Sequence, residues 1–197
     1  MDLREIPSAV GGDKSKRRGI ILAKSIPAKA FGVRTGEPIV DAMRKCPSLT
    51  IIPSHHGMYR EFSKQFMDIL REYTPEVEKY SIDEAFMNMT GMERLLGDPV
   101  AFAYKLKDRI KTDLGFTVNI GISSNKLLAK MASDFQKPDK VHTLFPEEIQ
   151  EKMWPLPVSA AVCGKSTENT LKKLGIYTIG DLAAADVEIL KHHLKKH

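Results

Sequence analysis

Met58, Phe62, Phe66, Ile69, Leu70 and Tyr73 recur at the three- and four-residue steps of one helix face. A helix with one apolar stripe is stable only against another apolar surface, so this segment needs a sheet or a second helix beside it. We read the stripe as core rather than as a platform for stacking. Thr74-Pro75 ends the helix, because the residue before a proline is pushed out of the helical region. Residues 76–80 and 86–90 then read as two strands around a bend.

Short strands and helices alternate along the rest of the chain. Residues 19–23 read as a buried strand, and Gly32 to Gly36 as a glycine-flanked turn. A helix follows with Pro38 near its first turn and Ile39, Ala42 and Met43 on its buried side, then a strand at 49–52 closed by Pro53. Asp98 and Pro99 fit the N-cap and first position of a helix reaching Leu114 and ending at Gly115. Residues 116–122 alternate like a strand. Ser124 or Asn125 caps the next helix, 125–135, with Leu127, Leu128, Met131 and Phe135 inward and Lys126 and Lys130 outward. Composition shifts near 141–145 and prolines follow at 146, 155 and 157, which places a domain boundary near Leu144. The fold class expected is α/β.

At 197 residues, 42% hydrophobic and 28% charged, the chain suits one or two compact globular units. No apolar run approaches the roughly 20 residues of a membrane span, and residues 1–5 lack a secretory stretch. Cys46 and Cys163 stand far apart and read as free thiols of a cytoplasmic protein. The pairs His55-His56 and His192-His193 are adjacent, so neither has the spacing of a zinc site. A net charge of +5 favours an anionic partner, nucleic acid first. Lys14, Lys16, Arg17 and Arg18 form one basic cluster, and Lys191, Lys195 and Lys196 another.

Asp83-Glu84 is the sharpest chemical feature. Paired carboxylates hold hard divalent cations such as Mg2+ through oxygen. Neighbouring residues on a regular strand face opposite ways, so both reach one site only at a bend, where this pair is expected. Tyr80-Ser-Ile-Asp-Glu-Ala-Phe86 resembles the signature hairpin of the Y-family (translesion) DNA polymerases. The segments Val118-Asn-Ile-Gly-Ile-Ser-Ser-Asn-Lys-Leu-Leu-Ala-Lys-Met-Ala-Ser133, Lys137-Pro138 and Ala28-Lys-Ala-Phe-Gly-Val-Arg-Thr-Gly36 are similar to further blocks of that family, in order and at matching spacing.

The resemblance implies a palm sheet backed by helices at 54–144, a partial fingers region at 1–53 and a helical thumb fragment at 145–197. It implies template-directed DNA synthesis past damaged bases, with primer-template DNA and a dNTP as partners, two Mg2+ ions, and a sliding clamp for a full-length parent. Asp83 would bridge the two ions, Glu84 would bind the one that activates the primer 3′-hydroxyl, and Lys137 would contact the triphosphate. Lys29 stands where the family usually has an arginine; lysine keeps the charge but not the bidentate fork. Ile26 replaces a tyrosine that touches the triphosphate.

Val162-Cys-Gly-Lys-Ser166 and the helix after it resemble a helix-hairpin-helix, implying that Gly164, Lys165 and Ser166 hold DNA phosphate. Gly164-Lys165-Ser166 also looks like the end of a P-loop, but Ser159 stands where that motif needs a glycine. The family opens with a strand bearing another metal-binding aspartate, and Met1 falls beyond its counterpart. The resemblance therefore implies that these residues alone do not extend primers. A non-catalytic DNA-binding module is the alternative.

Overall fold

A computed structural model describes residues 2–12, 19–161 and 164–194. The chain divides into two compact units, Met1–Glu61 and Phe62–His197.

In the first unit, β1 (Ser8–Gly11) lies between β2 (Ile21–Lys24), antiparallel, and β3 (Thr50–Pro53), parallel. The strands expected at 19–23 and 49–52 are therefore present, each moved by one or two residues. β1 was not expected: Ser-Ala-Val-Gly is short and lacks alternation, and its strand conformation is decided by partners on both sides. The segment Ile26–Ala30 forms a helix, α1, also unforeseen. Ser25 starts it by accepting a hydrogen bond from the Ala28 amide at 3.2 Å, and Pro27 sits in the first turn, where a missing N–H costs nothing. α2 (Ile39–Lys45) follows Pro38 as expected. The core joins Ile21, Ala28, Val33, Ile39, Ala42 and Leu49 with Cys46, a free and buried thiol. Cys163, the basic run 14–18, Lys195 and Lys196 lie outside the described residues.

α3 (His56–Arg71) carries the apolar stripe. Phe66, Ile69 and Leu70 are buried as expected, but Met58 is 51% exposed and Phe62 38%. The line that faces inward is Ser63, Phe66, Met67 and Leu70, which turns Phe62 to the margin, edge-on to Phe116 at 6.2 Å. This line packs on Phe102, Leu106 and Ile110 of α5 (Pro99–Leu114) and on flanking residues of β4 (Val77–Lys79) and β5 (Ala85–Met87), which form an antiparallel hairpin. α4 (Glu93–Leu96) precedes α5. Asp98 caps α5 through the Ala101 amide at 2.7 Å, and Gly115 ends it at φ 75°.

β6 (Ile120–Ile122) pairs in parallel with β7 (Val141–Thr143), and α6 (Lys126–Asp134) makes the crossover between them. Asn125 caps α6 through the Leu128 amide at 2.9 Å. A Cβ on Gly121 would lie 1.9 Å from the Ala129 carbonyl oxygen, so α6 rests directly on β6 because residue 121 has no side chain. Only the end of the expected strand 116–122 is regular. Leu127, expected inward, is 59% exposed; Leu128, Met131 and Ala132 take the buried face. Leu144 is fully buried in a cluster with those three and Ile179, so one core holds residues from both sides of position 144.

The last elements are α7 (Lys165–Lys173), α8 (Ile179–Ala184) and α9 (Val187–Leu194), around Val158, Leu171 and Ile176. Among the described residues no helix is long and apolar enough to cross a membrane.

Candidate active site

The hairpin of β4 and β5 closes through a tight bend. The amides of Tyr80 and Ser81 both donate to the Glu84 carbonyl, at 3.0 and 3.1 Å. Asp83 and Glu84 thus sit where regular strand alternation is interrupted. The Ser81 hydroxyl donates to the exposed Asp83 carboxylate at 2.8 Å. The half-buried Glu84 carboxylate pairs with the ammonium of Lys130 on α6. One turn earlier on α6, Lys126 pairs with Glu78 of β4 and lies 5.9 Å from the Phe86 ring centre. Two lysines on one face of α6 therefore tie down both the start of the hairpin and its acidic bend.

This corrects the expectation that Lys130 points outward; its side chain is only a quarter exposed. Burial alone would lower the Lys130 pKa, but the hydrogen bond to Glu84 and the nearby charge of Asp134 outweigh it and hold the ammonium above its ordinary value. Lys130 also lies 3.6 Å from Asp134, and Asp134 pairs with Lys137 at 2.6 Å. Burial would raise the Asp134 carboxyl, yet its hydrogen bond to Lys137 and the Lys130 charge hold it below the usual range. Glu84, Lys130, Asp134 and Lys137 form one line of alternating charge. The sequence motifs named its two ends; the middle pair follows from α6 lying against the hairpin.

Among the described residues no third acidic, histidine or cysteine side chain joins Asp83 and Glu84 in a group that could hold a metal ion. Two adjacent carboxylates offer the hard oxygen donors that suit Mg2+, an ion that keeps several waters and commonly takes one or two protein carboxylates beside substrate phosphates. Lys29 is exposed on α1 of the first unit. Gly164 is the N-cap of α7 and has no side chain to cap that helix end, and Lys165 and Ser166 form its first turn. A 3-10 turn at Val158–Ala160 precedes it. Val162 and Cys163 of the expected hairpin lie outside the described residues.

The family model described as impB/mucB/samB matches residues 1–134. The chain belongs to the impB/mucB/samB family. Over its whole length it is 50% identical to DNA polymerase IV of Clostridium acetobutylicum, of which it covers 50%. It matches the crystal structure of DinB from Sulfolobus solfataricus with a TM-score of 0.87 at 27% identity, over 98% of this chain and 57% of that one. The insertion ternary complex of Dbh DNA polymerase matches with a TM-score of 0.86 at 27% identity, over 98% and 57%. This impB/mucB/samB chain thus spans about half the length of the relatives it matches. Its α/β fold is that of the Y-family polymerases.

Proposed function

We propose that the chain is part of a translesion DNA polymerase, working in the cytoplasm on primer-template DNA and a dNTP. The carrying observation is the hairpin bend, which takes Asp83 and Glu84 out of regular strand alternation and ties Glu84 to α6 through Lys130. In the reaction the primer 3′-oxygen attacks the α-phosphorus of the dNTP, a new P–O ester bond forms, and the bond to the β-phosphate oxygen breaks to release pyrophosphate. Asp83 and Glu84 supply carboxylate oxygens to divalent cations, with Mg2+ the ion their chemistry fits best. Such a pair of ions, when bound, stabilises charge on the attacking and leaving oxygens. Lys137 carries the positive charge that faces the triphosphate, and Lys29 is assigned the same role from its place in the fingers segment. Gly164, Lys165 and Ser166 offer backbone amides at a helix start to DNA phosphate. Residues 1–53, 54–144 and 145–197 serve as fingers, palm and thumb, the last two sharing the core around Leu144. A sliding clamp is the partner proposed for a full-length form.

The test is Asp83→Asn in a full-length protein that carries this chain. Primer extension should fall by about a hundred- to a thousandfold, the scale on which loss of one electrostatic catalytic group is felt, while the dissociation constant for primer-template DNA stays within about twofold. Extension that survives the substitution removes the metal assignment. Intact DNA binding with no extension even before substitution favours a DNA-binding module.

A further inference from the structure

Asp139 follows Lys137-Pro138 and adopts a left-handed backbone, φ 61°. Aspartate tolerates that region better than most side chains, though less readily than glycine. Its carboxylate takes two ammonium groups from successive turns of α5, Lys107 at 2.9 Å and Lys111 at 2.9 Å. Lys107 is only 7% exposed. A lysine held that deep is stable only with its charge matched, and besides Asp139 its partner is the solvent-facing Asp108. On the far side of the same turn, the Lys140 amide donates to the Asn119 side chain at 3.0 Å, just before β6. The turn that carries Lys137 is therefore pinned from α5 and from β6, while Lys137 itself extends toward Asp134 and the charge line that leads to Glu84.

We propose that Asp139, gripped by Lys107 and Lys111, is a positioning residue that sets where the Lys137 ammonium stands, and so how well the site holds a nucleoside triphosphate. The inference rests on the reading of Lys137 as the triphosphate contact. A turn needed only to connect α6 to β7 would be served by the Asn119 bond and β pairing. A buried lysine whose other carboxylate partner is its own neighbour Asp108, joined by Lys111 on the same Asp139 carboxylate, fixes the turn more tightly than connection requires. The hydrogen bonds from Lys107 and then Lys111 hold the Asp139 carboxyl below its ordinary range, so the grip stays charged at neutral pH.

The chain is titrated with a fluorescent dATP analogue in Mg2+. Asp139→Asn keeps a side chain that accepts the left-handed backbone and removes the charge. It should raise the dissociation constant about three- to tenfold, and Lys111→Met should move it the same way by less. In a Lys137→Ala background Asp139→Asn should add nothing. An unchanged constant, or an effect that persists without Lys137, overturns the proposal, whatever happens to the melting temperature. If Lys137→Ala itself leaves binding unchanged, the triphosphate role of Lys137 is what has failed. Positioning is then decided by the 13C resonance of the Lys137 side chain: a shift in Asp139→Asn supports it, and an unmoved resonance overturns it.

Discussion

At the scale of single residues, the bend at Asp83 and Glu84 was legible because a motif carries it, whereas the inward reach of Lys130 was not. Helical periodicity assigns a lysine between Leu127 and Met131 to the solvent face, and nothing in the spacing reports that its flexible stem reaches a carboxylate 46 positions away. Asp134 between Lys130 and Lys137 gives a prediction in pH. Its carboxyl is held below the ordinary range, so its pairs contribute stability that is present above the unfolded value of roughly 3.9 and is lost as pH falls through the lower folded value. Lys130, held above its ordinary value, contributes over the whole range below roughly 10.4 and adds no transition in acid. Urea midpoints of the wild type and Asp134→Asn should therefore differ at pH 6 and converge in acid, below the ordinary carboxylate range. A difference unchanged down to pH 2 would show that the carboxylate charge is not what Asp134 contributes.

At the scale of elements, the helices with both a cap and a stop were readable. α5 has Asp98, Pro99 and Gly115 at the expected places, and α6 has Asn125. Sequence pattern alone named no element at β1, β7, α1, α4, α8 or α9; of these, β1, β7 and α1 are short and held by pairing or packing with distant segments, which local pattern does not encode. Gly121 shows what such a contact demands. Alanine there would drive a Cβ to 1.9 Å from the Ala129 carbonyl and 2.6 Å from the Ser133 amide nitrogen, both rigid helix backbone. α6 would have to lift from β6 and carry Lys126 and Lys130 away from the hairpin. Gly121→Ala should cost about 3 kcal/mol or more, at the upper end for an overpacked core, read as a fall in the urea midpoint at unchanged slope. Gly57, around which a Cβ meets nothing within 4 Å, is the control: Gly57→Ala lies in α3 and should be neutral or stabilising.

At the scale of the molecule, composition suggested a break near Leu144, and the prolines beyond it are real punctuation. A proline cluster marks where the backbone turns, but it does not report whether the side chains on its two sides share a core. Leu144 sits within that question. It is fully buried, its amide donates to the Ile122 carbonyl at 2.9 Å and its carbonyl accepts from the Ser123 hydroxyl at 2.5 Å. Its side chain meets Leu128, Met131 and Ala132 of α6, which precede it, and Ile179 of α8, which follows it. Leu144→Ala removes a wholly buried side chain from that cluster and should cost about 2–5 kcal/mol. The location of the loss matters more than its size. Hydrogen exchange followed by mass spectrometry should show faster exchange in both α6 and α8, because each packs on the space the leucine leaves. Faster exchange confined to α8 would mean that residues 145–197 unfold as a separate body and that the shared cluster does not couple them to the hairpin. Faster exchange in both would mean that α8 and α6, the helix whose Lys130 pairs with Glu84, are held by one core.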